Sequence, residues 1–308
     1  MIKPQRLIGG NTIGIVSPAS SIAKNEIKRM SETLKKKGYK IKIGQHAYEQ
    51  KSYLAGPDEH RVADINDFFM DDTVDAIFCS RGGYGATRIL DKLDYTAIKN
   101  NPKIFIGFSD ITSIHLAIQK RCGLITFHGP MSNQLCSSYA DYNMEYLTKA
   151  LCSSEPIGQI NTANDMPPLQ TLSSGTASGK IIGGNLSLIT ALLATPYEIE
   201  TKNAILFLED VSESPYRIDR MLTQLLSSGK LQEVRGIILG EWINCTAKEM
   251  GDFTVQDIIT DRLLPLNIPI LTGLPIGHGR YNITIPEGTK VYMDAGKKIF
   301  CIQESALS

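Results

Sequence analysis

The chain has 308 residues, 42% apolar and 21% charged, enough core-forming material for about two domains. Its 32 lysines and arginines balance 32 aspartates and glutamates, and no basic run is long enough to act alone, which argues against nucleic acid or an acidic membrane as a partner. No apolar stretch approaches the ~20 residues of a membrane-spanning helix, and the opening residues carry no small-residue cleavage site, so an unexported, cytoplasmic protein is expected.

The first half alternates short β-rich runs with helical periodicity. Thr12 to Val16 reads as a strand and Lys24 to Lys37 as a helix with Ile27, Met30 and Leu34 on one face, stopped by Gly38. A strand from Tyr39 to Ile43, a helix from Asp58 to Met70, and strands from Ala76 to Cys79 and Lys103 to Ile106 follow. Such alternation predicts a parallel sheet with helices on both faces. From Ser132 to Thr176 the chain turns rich in Ser, Asn, Thr and Pro, with one helix near Asp141 to Leu151. A linker is expected over 167–176, where Pro167-Pro168 and Ser173-Ser174-Gly175 defeat both periodicities. This divides the chain into 1–166 and 177–308. The second part mixes strands (Gly179 to Ile182, Ala204 to Leu208, Gly236 to Leu239, Lys290 to Met293, Ile299 to Ile302) with helices (Asn185 to Ala194, Tyr216 to Ser227).

The six cysteines are scattered without a C-x-x-C pair, which fits a reducing compartment and predicts neither disulfides nor structural zinc. The most informative local pattern is Ile104-Phe105-Ile106-Gly107-Phe108-Ser109-Asp110, an apolar strand that enters a helix through a sharp Gly-x-Ser turn. Such a turn sets the Ser109 hydroxyl at the carboxyl end of a strand and at a helix N-terminus, the setting of a nucleophile elbow. A serine here also caps helices, and on this segment alone capping is the commoner use.

A serine nucleophile needs a base and an orienting carboxylate. Of the five histidines, His46 and His60 fall in polar stretches, His115 on the helix after Ser109, and His128 after an apolar run. His278 alone sits between two glycines, in Gly277-His278-Gly279, where the backbone can approach a ligand or another loop closely. The strand Ala204 to Leu208 ends in Glu209-Asp210, which places an acid at the carboxyl edge of a buried strand. The chain order is then Ser, acid, His. The turn Gly82-Gly83-Tyr84-Gly85 exposes backbone N–H groups that suit an oxyanion hole or, equally, a phosphate cradle. The second option leaves open a non-catalytic nucleotide-binding module. Arg81, Arg217 and Arg220 could clamp substrate carboxylates or serve as structural ion pairs.

Taken in order, several motifs resemble the LD-carboxypeptidase family, serine peptidases of the S66 type that include the microcin C7 self-immunity peptidase. They are Tyr53-Leu54-Ala55-Gly56 with Asp58, Glu59 and Arg61; Ser80-Arg81-Gly82-Gly83-Tyr84-Gly85; Gly107-Phe108-Ser109-Asp110; Thr126-Phe127-His128-Gly129-Pro130; Gly183-Gly184-Asn185; Leu208-Glu209-Asp210 with Pro215-Tyr216-Arg217; and Gly277-His278-Gly279. The resemblance runs from about Thr12 to Val291. It implies a flavodoxin-like or amidotransferase-like parallel-sheet domain followed by a smaller β-rich domain, and commonly a homodimer. It implies release of terminal D-alanine from a murein tetrapeptide in peptidoglycan recycling. Ser109 would be the nucleophile, His278 the base and Glu209 its orienting partner, with the backbone N–H groups of Gly83 and Asp110 facing the oxyanion and no metal or cofactor. Within the family the rival substrate is an acidic aminoacyl-adenylate, expected to require a stacking aromatic; Trp242 has no clear place in a site loop, while Tyr139, Tyr142 and Tyr146 keep that option open.

Overall fold

The computed structural model describes residues 1–247, 249 and 251–308. The strands are β1 (Thr12–Val16), β2 (Lys40–Ile43), β3 (Ala76–Cys79), β4 (Ile104–Gly107), β5 (Thr126–His128), β6 (Gly158–Gln159), β7 (Gln170–Ser173), β8 (Thr176–Asn185), β9 (Ile205–Val211), β10 (Gly236–Ile243), β11 (Ile270–Thr272), β12 (Ile285–Glu287), β13 (Lys290–Asp294) and β14 (Ile299–Ile302). The helices are α1 (Lys24–Lys36), α2 (Asp58–Met70), α3 (Tyr95–Asn100), α4 (Thr112–Cys122), α5 (Ser132–Leu135), α6 (Ala140–Cys152), α7 (Leu186–Ala191), α8 (Pro215–Ser227) and α9 (Val255–Leu263).

The first sheet runs β2-β1-β3-β4-β5 with every pair parallel, the doubly wound order in which ligands gather outside the carboxyl ends of the strands. A sixth strand closes it from far along the chain: β12 lies antiparallel against β5, with Ile285 opposite His128. The second sheet has eight strands, β6-β14-β13-β8-β9-β10-β11-β7, parallel across its centre and antiparallel at its flanks. The segment expected as a linker therefore carries a strand. Gln170–Ser173 pairs with β11, because Leu169 and Leu172 find apolar cover there despite the prolines before them.

Side-chain alternation sorts the core into layers. On β4, Ile104 and Ile106 face α1, α5 and α6, whereas Phe105 faces α2 and α4. On β9, Leu206 and Leu208 join that same layer with α7, α8 and α9, whereas Ile205 and Phe207 turn toward β13 and β14. One apolar layer thus runs unbroken between the two sheets. No helix among the described residues is long and apolar enough to cross a membrane.

Candidate active site

The strand β4 is wholly buried and ends at Gly107, after which the chain turns sharply. Ser109 takes φ +65°, the left-handed region that a non-glycine residue occupies only when its surroundings enforce it. The enforcement is visible. Asp110 is buried, and its Oδ2 accepts the Ala86 N–H at 2.7 Å, lacing the elbow to the glycine turn; burial also pushes its carboxyl above the usual range. Burial pushes the pKa of the His115 ring down to about 4, and its Nε2 lies 2.9 Å from the Gly107 carbonyl.

Glu209 continues the face of β9 that carries Ile205 and Phe207, while Asp210 falls on the opposite one. That parity separates their tasks. Asp210 accepts from Asn185 Nδ2 at 2.9 Å and from the Ser187 N–H and hydroxyl at 3.0 and 2.8 Å, at the start of α7. Glu209 is fully buried and takes the Nδ1–H of His278 at 2.7 Å on Oε2. The ring's other nitrogen, Nε2, accepts the Ser109 hydroxyl at 2.9 Å. Gly277 permits this approach: it has φ +116°, and a Cβ there would lie 2.4 Å from Glu209 Oε2. The structure therefore brings Ser109, His278 and Glu209 into one chain of hydrogen bonds. An imidazole so bridged can take a hydroxyl proton while the buried carboxylate holds its tautomer.

The glycine turn lies against this chain. A Cβ on Gly82 would sit 2.9 Å from Ser109 Cβ and 3.2 Å from the Asp110 nitrogen, so the turn's backbone runs beside the Asp110 N–H. Gly83, at φ +104°, packs on Ser20, whose hydroxyl accepts the Tyr84 N–H at 3.0 Å. Fully buried Arg61 braces the turn from beneath by donating to the Pro18 and Gly85 carbonyls and pairing with Asp58. A cavity of about 520 Å³ opens over these groups. Ser109, His278, Gly82 and Gly83 line it, with Arg81 and Glu26 as its charged walls.

Sequence reasoning missed the support of the histidine loop. Gln134 Nε2 donates to the carbonyls of both Gly277 and Gly279, at 2.9 Å each. Its Oε1 accepts from Asn282 Nδ2 at 3.0 Å, and Asn282 Oδ1 accepts the Gly277 N–H at 3.1 Å. Asn143 Oδ1 in turn accepts the Asn282 N–H at 2.7 Å. All three amides are buried. Neutral amides, two in the Ser- and Asn-rich stretch and one just past His278, carry no periodic or charge signal, so only the fold reveals them. A second missed group is Glu241, at the end of β10 and packed on Gly279, whose carboxyl burial pushes up to about 7. Of the remaining predicted features, Trp242 lies in β10 opposite Asp210, and Arg217 pairs with Glu213 at 3.5 Å.

Comparison with known proteins bears on this geometry. The model of the LD-carboxypeptidase N-terminal domain matches residues 13–129 and that of the C-terminal domain residues 178–293. A probable murein peptide carboxypeptidase of Bacillus subtilis is 38% identical over 305 residues, 98% of this chain and 94% of its own length. Among solved structures, the microcin C7 self-immunity protein MccF in complex with aspartyl sulfamoyl adenosine superposes with a TM-score of 0.92 at 28% identity, covering 100% of both chains. The muramoyltetrapeptide carboxypeptidase from Oxalobacter formigenes gives 0.82 at 26% identity, over 96% of this chain and 99% of that one.

Proposed function

The chain belongs to the LD-carboxypeptidase family and is a serine carboxypeptidase, and from that premise we propose that it releases the terminal D-alanine of a murein tetrapeptide in the cytoplasm, during peptidoglycan recycling. The observation that carries the reading is His278, hydrogen-bonded at once to Ser109 and to buried Glu209 on the wall of the cavity. In this mechanism His278 takes the Ser109 proton as the hydroxyl attacks the scissile carbonyl. The N–H groups of Gly83 and Asp110 receive the oxyanion. Protonated His278 then gives its proton to the leaving amine of D-alanine, and water, activated by the same ring, resolves the acyl-enzyme. The charged walls support a peptide of this kind: Arg81 suits a terminal carboxylate and Glu26 the free amino group of a diamino acid. The role of Glu209 is to keep the proton on Nδ1, so that Nε2 stays an acceptor.

A second substrate, an acidic aminoacyl-adenylate, draws support from the likeness to MccF holding aspartyl sulfamoyl adenosine. The position of Trp242 within a strand gives it no added support. The deciding experiment measures D-alanine release from purified murein tetrapeptide with EDTA present throughout. The native chain is expected to release it, with Ser109→Ala and His278→Ala at least about 1,000-fold slower. Folded native protein that leaves the tetrapeptide intact while cleaving an aspartyl-adenylate would replace the first reading with the second. The homodimer that the resemblance implies is measured by sedimentation.

A further inference from the structure

Outside the cavity, three side chains capable of binding a metal converge where no sequence spacing announces them. His46 and Glu49 lie in the loop after β2, and His60 lies in the first turn of α2. His46 Nδ1 is 2.7 Å from Glu49 Oε1, and His60 Nδ1 is 2.8 Å from Glu49 Oε2. The two imidazoles stack with centroids 4.0 Å apart. One donor atom from each residue falls within 4.8 Å of the others, and among the described residues no other group of His, Cys, Asp and Glu side chains meets that condition.

The surroundings hold the trio in place. The His46 N–H donates to both carboxylate oxygens of buried Asp64, at 3.1 Å each. The loop backbone closes over the Glu49 carboxylate at Gly56, where φ is +94° and a Cβ would lie 2.5 Å from Oε2. The side chains stay 18%, 35% and 43% accessible for His46, Glu49 and His60, so an ion can enter from solvent and keep a water ligand. Two imidazole nitrogens and one carboxylate suit zinc and its neighbours, whereas magnesium and calcium prefer all-oxygen sites.

We propose that His46, Glu49 and His60 bind one divalent transition metal ion of the zinc class, at a site separate from the Ser109 cavity. None of the three lines that cavity. The ion would fasten the β2–α2 loop to the helix whose Asp58 and Arg61 brace Gly85. Its effect is accordingly on stability, and D-alanine release continues without it.

The test is a calorimetric titration of the chelator-stripped full chain with zinc alone, alongside thermal unfolding with and without the metal. One equivalent is expected to bind, raising the unfolding temperature by several degrees. His46→Ala and His60→Ala should each weaken binding at least about tenfold, and the double variant should lose both the heat and the thermal shift while it remains folded by circular dichroism. His278→Ala should bind zinc as the native chain does. The proposal falls if the native chain takes up no zinc, or if the double variant binds it unchanged.

Discussion

At the scale of single residues, His278 owes its position to neighbours that do not line the cavity. Gln134 grips the carbonyls on both sides of it, so the ring's distance to Ser109 depends on a neutral amide from the other half of the chain. Gln134→Ala removes both donors and the acceptor for Asn282. The expected result is a fall in kcat of about 10- to 100-fold with KM nearly unchanged, because a displacement of about 1 Å at a reacting group costs that much. Steady-state kinetics on the tetrapeptide checks it, and restoration by Gln134→Glu, which lacks the donors, should not occur. The elbow, the strand-end acid and the glycine-flanked histidine were legible beforehand, since each breaks a local pattern: a serine after Gly107, a carboxylate after five apolar residues, an imidazole where glycines stand on both sides. Gln134, Asn143 and Asn282 break none.

At the scale of elements, the glycine turn and the elbow behave as one surface. Gly82 has an ordinary φ, so Gly82→Ala strains no backbone, yet its methyl group would press on Ser109 Cβ and the Asp110 nitrogen. Activity should drop by about 100-fold or more, with the unfolding temperature within a few degrees of native, and a variant of native activity would deny the turn its part in the site. Short β12 has a different hold on the fold. Its Glu287 is fully buried, accepts from Gln119 Nε2 at 3.0 Å, and is pushed by burial up to about 8. The unfolded chain gives up that proton near 4.5, so between these values the unfolded state holds fewer protons and stability falls as pH rises. Glu287→Gln should flatten the decline between pH 5 and 8, by on the order of 1 kcal/mol or more, as read from urea unfolding at both ends of that window. The sequence places α2 and β3 to the residue, whereas β8, expected over Gly179 to Ile182, extends three residues further at each end. By contrast β12, three residues including a proline, has too little length for any period. For α9 a signal existed: Thr254 and Asp257 form a capping box.

At the scale of the molecule, the composition shift near residue 130 marks a change of texture more than a break in packing. Leu206 and Leu208 of the second sheet share an apolar layer with Ile77 and Phe105 of the first, and Asn185 donates its N–H to Thr112 at 3.1 Å, three residues past the nucleophilic serine of the proposed mechanism. The full chain should therefore unfold in one calorimetric transition, with calorimetric and van't Hoff enthalpies agreeing; two resolved peaks would show halves that stand alone. Sequence patterns pointed to the layers of the first sheet, but which strand borders which across more than a hundred intervening residues depends on packing that no local window contains.

The return of β12 to the first sheet also orders events in time. A ribosome working at about 5–20 residues per second delivers β1 to β5, with Ser109 and the glycine turn, well before Glu209, His278 or β12 has been made. Throughout that interval β5 has a bare edge and Ser109 lacks the His278 ring that its hydroxyl bonds in the finished chain. A chain whose proposed trade is cutting peptides is thus kept inert during its own manufacture, and the strand that finishes its oldest sheet follows within a few residues of the histidine that would switch it on.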